Sequence, residues 1–282
     1  MTDLDAIPAF RNGVVGDSEV GVSGLSSALA GGSGVKSASE VVAIILLAVV
    51  IVGSLQIALT VLNVPQYVFP KPSEIAIALV KDFPLIAPHL FYTLVELASG
   101  FAIGAASGLV LAAIITQFPF VEKVITPYIL ILVTTPMLAL VPLLILRFGF
   151  GYTPRVIAVA LASGPMVMIN AATGFRRVDR GKIALAHSYG ASTLQVFWKV
   201  RAPMALPMIF VGLMVGSIFG LLTAVGAEMV GGGFGLGNRL TSYSSMIQMP
   251  QFFAVVLILS TLGILIYVLF FLLAKRFASW EA

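Results

Sequence analysis

Residues 205–227 read ALPMIFVGLMVGSIFGLLTAVGA, a run of 23 residues without a charged side chain. A helix of about 20 apolar residues crosses a hydrocarbon core about 30 Å thick, so this run predicts a membrane-spanning helix. The segment before it, residues 176–204, carries six Lys and Arg side chains. The contrast between the two segments predicts helices that cross a bilayer and a basic loop that stays outside it.

The composition of the whole chain is that of a membrane protein. Of its 282 residues, 59% are apolar and 10% are charged, a balance that soluble globular domains do not have. Several spans fill a chain of this length, which excludes a sizeable catalytic domain. The absence of cysteine excludes disulfides, thiolate metal sites and cysteine nucleophiles. Basic residues at membrane edges account for the net charge of +4 without nucleic acid.

Six apolar runs are each long enough to form a span. They lack the alternating polarity of a membrane barrel, and helices satisfy their own backbone hydrogen bonds in lipid. The predicted fold class is therefore all-α, a polytopic membrane protein with about six transmembrane helices. The runs cover residues 41–63, 89–116, 124–147, 154–175, 205–227 and 252–274.

The distribution of Lys and Arg predicts the orientation, because these residues concentrate on the cytoplasmic side. With the N-terminus inside, eleven of the sixteen fall in cytoplasmic segments and five outside, which predicts that both termini are cytoplasmic. The Gly- and Ser-rich N-terminus has too little apolar surface to fold. The predicted parts are a disordered cytoplasmic tail, a first transmembrane helix with an outer-surface segment, a helical core and a cytoplasmic C-terminal tail: 1–39, 40–85, 86–276 and 277–282.

Two shorter patterns predict how the spans connect and pack. The Pro-rich residues 65–74 are predicted to lie on the outer surface, with Ser73 capping a short helix that begins near Glu74. In the second span, glycine recurs every four residues, which predicts a flat strip that another helix approaches closely. The strip consists of Gly100, Gly104 and Gly108.

Prolines interrupt the third predicted span. Each proline removes an amide donor and clashes with the preceding turn, so this helix is predicted to be kinked or locally unwound. Broken membrane helices tend to line cavities, because freed carbonyl groups need protein or water as partners. A translocation path and a simple packing kink both fit this pattern. The prolines are Pro127, Pro136 and Pro142, and the candidate path residues here are Thr134, Thr135, Pro136 and Met137.

The basic loop predicts two short helices joined by a glycine. The first covers Lys182 to Tyr189, and Gly190 ends it with a positive φ. Ser192 caps the second helix, for which Trp198 is the predicted apolar anchor. A helix–Gly–helix unit forms a compact knob that fits a cleft in a partner, while an interfacial amphipathic loop is the plain alternative.

This loop resembles the signature Glu-Ala-Ala-x3-Gly-x9-Ile-x-Leu-Pro of the permeases of ABC importers. Ala-Leu-Ala at 184–186 aligns with Glu-Ala-Ala, Gly190 with the glycine, Val200 with the Ile, and Ala202-Pro203 with Leu-Pro. Without the acidic residue, a salt bridge made through it is in doubt, but the turn and the apolar knob remain. The resemblance implies a cytoplasmic coupling-helix loop whose ATPase-coupling residues are Ala184, Leu185, Ala186, His187, Gly190, Ala191 and Ser192.

Further stretches are similar to the nitrate, sulfonate, taurine and bicarbonate branch of that family. They are residues 69–74, residues 136–149, and Glu228 followed by residues 235–237, so that the resemblance covers about residues 40–276. It implies a multi-pass permease subunit of the bacterial inner membrane that conducts a small solute. The implied partners are two cytoplasmic ATPase subunits, a second permease copy, identical to this one, and an extracytoplasmic binding protein. ATP and Mg²⁺ belong to the ATPase, and no catalytic, cofactor-binding or metal-binding residue is expected here.

Glu228 has two interpretations, since an ionisable group in a span normally faces protein or water. It lines the solute path, or it accepts hydrogen bonds from the turn at residues 231–233. His89 and His187 are isolated from each other and from any acidic cluster, which predicts neither a metal site nor a proton relay. Residues 31–37 superficially match a phosphate-binding loop but depart from it at Val35.

Two other classes of function compete with the permease. An ion-gradient-coupled secondary transporter usually needs intramembrane acids or a relay, and Glu96 and Glu228 are the acidic candidates, both toward the outer side. A membrane-embedded enzyme would need a metal-binding set or a nucleophile paired with a base, which the sequence lacks.

Overall fold

The structure is a computed structural model that describes residues 38–277. The predicted N-terminal tail up to residue 37, with the phosphate-loop-like segment, and the C-terminal tail from residue 278 lie outside the described residues. Helices α1 to α10 make up the regular structure of the described part, and a π-helical turn, Phe197–Arg201, joins α7 to α8. The helices are Ala38–Val61, Pro72–Gln117, Pro119–Thr134, Met137–Phe148, Tyr152–Arg176, Arg180–Ser188, Thr193–Val196, Ala202–Gly231, Leu236–Ser245 and Met249–Phe277.

The predicted all-α fold with about six spans is confirmed. Five helical segments of the described chain are long and apolar enough to cross a membrane, and the bent pair α3 and α4 makes six when counted as one span. The first of them, α1, is described by itself; its 24 residues measure about 36 Å along the axis. The remaining spans pack together through α2, α5 and α8.

The second span is much longer than predicted. Helix α2 runs without interruption for 46 residues, about 69 Å, so part of it extends beyond a hydrocarbon core of about 30 Å. The predicted short helix near Glu74 is its first turn. The predicted cap at Ser73 is wrong, because the N-cap is Lys71, whose amide donates to Glu74 Oε2 at 3.0 Å. Pro72 fits the first helical position, because an amide hydrogen at that position would have no partner within the helix.

Glycine strips bring α2, α5 and α8 into close contact. A Cβ atom added at Gly100 of α2 would lie 2.6 Å from Cβ of Val159 on α5, so only glycine fits this spacing. The predicted strip on α2 is thereby confirmed, with α5 as its partner. A second strip on α8, which was not predicted, faces α5 as well and consists of Gly212, Gly216 and Gly220. Small residues at such crossings let helix backbones approach and gain dispersion contacts.

A buried ion pair joins α2 and α5 at one end of these helices. Arg155 Nη1 donates to Glu96 Oε1 at 2.9 Å, and both side chains are about 95% buried or more. The same guanidinium donates to the carbonyl oxygens of Phe234 and Gly232, in the turn between α8 and α9. One arginine therefore fixes two spans and the glycine-rich turn to each other.

The first amides of α9 are bound by side chains of α2 and α8. The amide of Gly235 donates to His89 Nδ1 at 3.1 Å, and that of Leu236 to Thr93 Oγ1 at 2.9 Å. The amide of Gly237 donates to Glu228 Oε2 at 2.7 Å. The first amides of a helix lack intrahelical partners and attract negative charge, so this arrangement caps α9 through tertiary contacts.

We expect the buried ion pair to contribute far more to stability than an exposed one. In Arg155→Met, Glu96 stays buried without its partner, which lowers the free energy of unfolding by about 3–5 kcal/mol. The measurement is thermal unfolding of the detergent-purified protein, followed by circular dichroism.

The matched control is Glu122→Gln, which breaks the 2.8 Å pair of Glu122 with Arg176, where the side chains are 38% and 48% exposed. This change lowers stability by less than about 1 kcal/mol. Equal losses in Arg155→Met and Glu122→Gln would contradict a special role for the buried pair.

Candidate functional site

The third span is broken at Thr135 and Pro136, as predicted. Helices α3 and α4 meet there at an angle of 96°. Pro136 has no amide hydrogen, so the carbonyl group of Leu132 loses its helical donor. The amide of Thr135 still donates to Ile131 at 3.0 Å, and that of Ala139 donates to Pro136 at 2.9 Å to start α4. The bend is therefore a local interruption between two intact helices.

The two threonine hydroxyls beside the break bond to their own helix. Thr134 Oγ1 donates to the carbonyl oxygen of Leu130 at 2.9 Å, and Thr135 Oγ1 donates to that of Ile131 at 2.7 Å. Each hydroxyl proton is used in this way, and the oxygen lone pairs stay available. A polar solute at the break would find hydrogen-bond acceptors there.

A cavity of about 290 Å³ lies at the break. Thr135, Pro136 and Met137 line it, whereas Thr134 does not. The opposite walls come from the middle of α5, about 14 Å along the axis from its first residue, and from α8. The lining is mostly apolar, with Thr135 and Thr223 as its hydroxyls. The residues from α5 and α8 are Leu161, Ala162, Pro165, Met166, Phe219, Leu222 and Thr223.

Glu228 lies outside this cavity and is fully buried. Its Oε1 accepts a hydrogen bond from Thr93 Oγ1 at 2.7 Å, and its Oε2 accepts from Gly237. Of the turn expected to donate to Glu228, the amide of Gly232 donates to its main-chain carbonyl oxygen at 3.1 Å, whereas the donors to its carboxylate come from α2 and α9. His89 binds the amide of Gly235 at the same helix start, and its isolation from any acidic cluster stays a prediction. The mostly apolar cavity and the polar cluster around Glu228 are therefore two separate features.

The basic loop folds as a helix, a glycine turn and a second helix. Asp179 accepts a hydrogen bond from the amide of Gly181 at 2.8 Å and so starts α6, two residues before the predicted beginning. At its end, the amides of Gly190 and Ala191 donate to His187 and Ala186, a Schellman motif. Gly190 has φ +81° with open space around it, which confirms that glycine ends this helix with a positive φ.

The second helix of the loop is capped as predicted and anchored differently. Ser192 Oγ accepts from the amide of Gln195, whose side chain accepts from the amide of Ser192 at 2.8 Å. The predicted anchor Trp198 is 65% exposed, whereas its neighbour Phe197 is buried against Phe175, with ring centroids 5.1 Å apart. The π-helical turn places these two adjacent aromatic rings in different surroundings.

The predicted coupling residues form one exposed knob. Leu185 and Tyr189 lie four residues apart and are 58% and 84% exposed, so an apolar surface faces away from the spans. Ala186 and Ala191 are half-buried, and the other members of the predicted set are exposed: Ala184, Leu185, His187, Gly190 and Ser192. The knob follows the C-terminal end of α5, about 32 Å along the axis from Arg155. Knob and buried ion pair therefore lie at opposite ends of this span.

Sequence reasoning missed the Arg155–Glu96 pair, although a signal was present. The two residues carry opposite charges inside two predicted apolar spans, at 154–175 and 89–116. Charges at such positions normally pair with each other or with backbone groups. Arg155 is one of the five cations that the predicted orientation places outside, whereas the pairing rule joins it to Glu96.

Comparison with known proteins agrees with the loop signature. The chain matches, over residues 100–279, the family described as binding-protein-dependent transport system inner membrane component. The riboflavin transport system permease protein RibX of Chloroflexus aurantiacus is 29% identical over 229 residues, covering 80% of this chain and 85% of that protein. The taurine transport system permease protein TauC of Escherichia coli is 31% identical over 182 residues, covering 64% and 63%.

The fold is also found in solved structures. A crystal structure of an amino acid ABC transporter with histidines has a TM-score of 0.58 and 23% identity, covering 71% of this chain and 96% of that chain. The predicted resemblance to ABC importer permeases is confirmed by the family match and by these relatives. The chain belongs to the family of binding-protein-dependent transport system inner membrane components.

Proposed function

We propose that this permease subunit conducts its solute through the cavity at the break between α3 and α4. The observation that carries the proposal is the position of this cavity, enclosed by the middle of α5, by α8 and by a helix with a freed carbonyl group. Irregular backbone at membrane depth is tolerated where it lines a cavity or is covered by protein. Thr134 lies next to the lining and becomes part of the path when α3 and α4 move.

The solute proposed is small, of the sulfonate, taurine or nitrate kind, or a compact organic molecule. The cavity of about 290 Å³ accepts such a molecule without a charged side chain on its wall. An extracytoplasmic binding protein delivers the solute and supplies most of the selectivity, since the cavity itself offers two hydroxyls. RibX and TauC are named for riboflavin and taurine, so relatives of similar identity carry different solutes.

The energy comes from two cytoplasmic ATPase subunits that hold ATP and Mg²⁺. Each ATPase receives the knob between α5 and α8 of one permease copy, and the second copy is identical to this one. ATP binding draws the two knobs together, which favours an outward-facing state over an inward-facing state because the ATPase pair binds the former more tightly. The basic loop lies on the cytoplasmic side, and both termini lie there too.

An ion-gradient-coupled transporter is the alternative, and the contacts of the two buried carboxylates argue against it. Glu96 is paired with Arg155, and Glu228 binds the first turn of α9. A carboxylate that carries protons across a membrane must exchange partners during the cycle, whereas both of these are tied to backbone or to a buried cation. Glu228 therefore acts on the path only through the position of α9.

Replacing Gly190 tests the coupling role of the knob. In Gly190→Val, a β-branched residue is forced to φ +81°, which costs roughly 1–3 kcal/mol and distorts the turn. We expect both solute uptake and co-purification of the ATPase to fall at least fivefold. Gly190→Asn keeps both, because asparagine tolerates this conformation.

The matched control is Gly149→Val, at a glycine with φ +79° and open space around it, at the end of α4. Gly149 has ψ 177°, a conformation that essentially only glycine adopts, so this variant strains the backbone away from the knob and leaves ATPase co-purification unchanged. Normal uptake and co-purification in Gly190→Val would contradict the assignment of the knob.

Cysteine substitution tests the cavity, since the chain has no native cysteine. Thr135→Cys and Met137→Cys are expected to react with a small polar thiol reagent in one nucleotide state and to be protected in the other. Ile103→Cys, on an exposed part of α2 that faces away from the glycine strip, is the control and stays unreactive in lipid. A gated path would be contradicted if neither cavity cysteine were labelled, or if both were labelled equally in the two nucleotide states.

A further inference from the structure

A second groove, separate from the translocation cavity, lies at the membrane edge that bears the knob. This edge groove is formed by the last turn of α2 and by the segment from α7 into the π-helical turn, and measures about 440 Å³. Its walls are almost entirely apolar. The residues that matter below are Ile114, Gln117 and Phe118 of α2, and Leu194, Phe197 and Trp198 of the loop.

The walls of the edge groove expose large side chains. Phe118, Leu194 and Trp198 are 58%, 67% and 65% exposed, and all three lie where spans end. Apolar surface left open in this way marks a binding site or a membrane contact. Tryptophan is enriched at the membrane–water interface because its ring is apolar and its N–H is polar. The exposed Trp198 fits that location.

One polar side chain of the edge groove lacks a partner, and two cations directly follow its lining residue Trp198 in the chain. Gln117 lines the edge groove, and its Nε2 is buried without a hydrogen-bond partner among the described residues. Lys199 and Arg201 follow Trp198 in the π-helical turn, and among the described residues neither has a carboxylate within 4.0 Å. Glu122, at the start of α3, is already paired with Arg176. Apolar walls beside unpaired cations suit an amphiphile with a negative head.

We propose that the edge groove binds an anionic phospholipid of the adjoining leaflet. An acyl chain lies against Ile114, Phe118 and Leu194, and the phosphate accepts hydrogen bonds from Gln117, Lys199 and Arg201. Basic pockets between spans are the usual sites for anionic head groups, and each Lys or Arg near the surface contributes about 1 kcal/mol. The bound lipid holds the part of the knob nearest to the spans at the membrane edge. This inference does not depend on which solute the permease carries.

The two tryptophans of the chain make the site directly observable. Trp280→Phe leaves Trp198 as the single tryptophan. The full-length protein is reconstituted in phosphatidylcholine vesicles containing brominated phosphatidylglycerol or, separately, brominated phosphatidylcholine. Quenching at equal mole fraction gives the relative affinity of the two lipids. We expect about a tenfold preference for the anionic lipid at low salt, falling as salt is added. Equal quenching by the two lipids, or no quenching, would overturn the proposal.

Variants assign the preference to Gln117 and the two cations. Lys199→Gln combined with Arg201→Gln reduces the preference for the anionic lipid to about one. Gln117→Leu reduces this preference severalfold. The control is Lys275→Gln combined with Arg276→Gln, at two cations in the last turn of α10, which leaves the preference intact. Each variant is compared after its elution profile matches that of the parent. A preference that survives loss of Lys199 and Arg201 contradicts the site.

The competing occupant of the edge groove is the ATPase itself. The quenching is therefore repeated with the ATPase subunit bound. Retained quenching by the anionic lipid supports the proposal, because lipid and ATPase then occupy different surfaces. Quenching that disappears on addition of the ATPase would assign the groove to protein docking instead.

Discussion

Arg155 faces Glu96 inside the helix bundle, and this buried pair determines what else in the structure can move. Separating two charges in a low-dielectric interior leaves each without compensation, so the pair keeps α2 and α5 in register at one end. Through Gly232 and Phe234, the same guanidinium holds the turn after α8. Glu228, Thr93 and His89 then bind the first turn of α9. One edge of the permease is thus a single fixed unit.

The glycine strips extend this fixed unit along α2, α5 and α8. Close backbone contact leaves little freedom for sliding, because any shift would bring side chains into the positions where only hydrogen atoms fit. The bent pair α3 and α4 is packed differently, with no fully buried residue in α3 and only Val141 in α4. Movement at the break changes the cavity, while Val141 of α4 packs against Ala158 of α5 and Ala227 of α8. The knob lies at the opposite end of α5, where a partner can push or pull on both α5 and α8.

Local sequence signals predicted the features that depend on local chemistry. The apolar runs predicted the spans, Pro136 predicted the break, and Gly190 predicted the end of α6, because each effect acts within one or two turns. The length of α2 was underestimated, because the apolar run that predicted it begins at residue 89, whereas the helix continues back through Pro88 and Pro84 to Pro72. Phe197 was not predicted as the buried anchor of α7, because its partner Phe175 is on α5, 22 residues earlier. The donors to Glu228 come from 135 residues away and from α9, and no local pattern identifies such partners.

The central claim is that an ATPase drives transport through this subunit and that the chain has no energy source of its own. The most direct measurement is solute uptake by sealed vesicles containing the permease, with or without its ATPase and binding protein, under either ATP or an imposed proton or sodium gradient. The account predicts uptake when the ATPase, the binding protein and ATP are all present, and no uptake by the permease alone under either gradient. Gradient-driven uptake by the chain alone would contradict it.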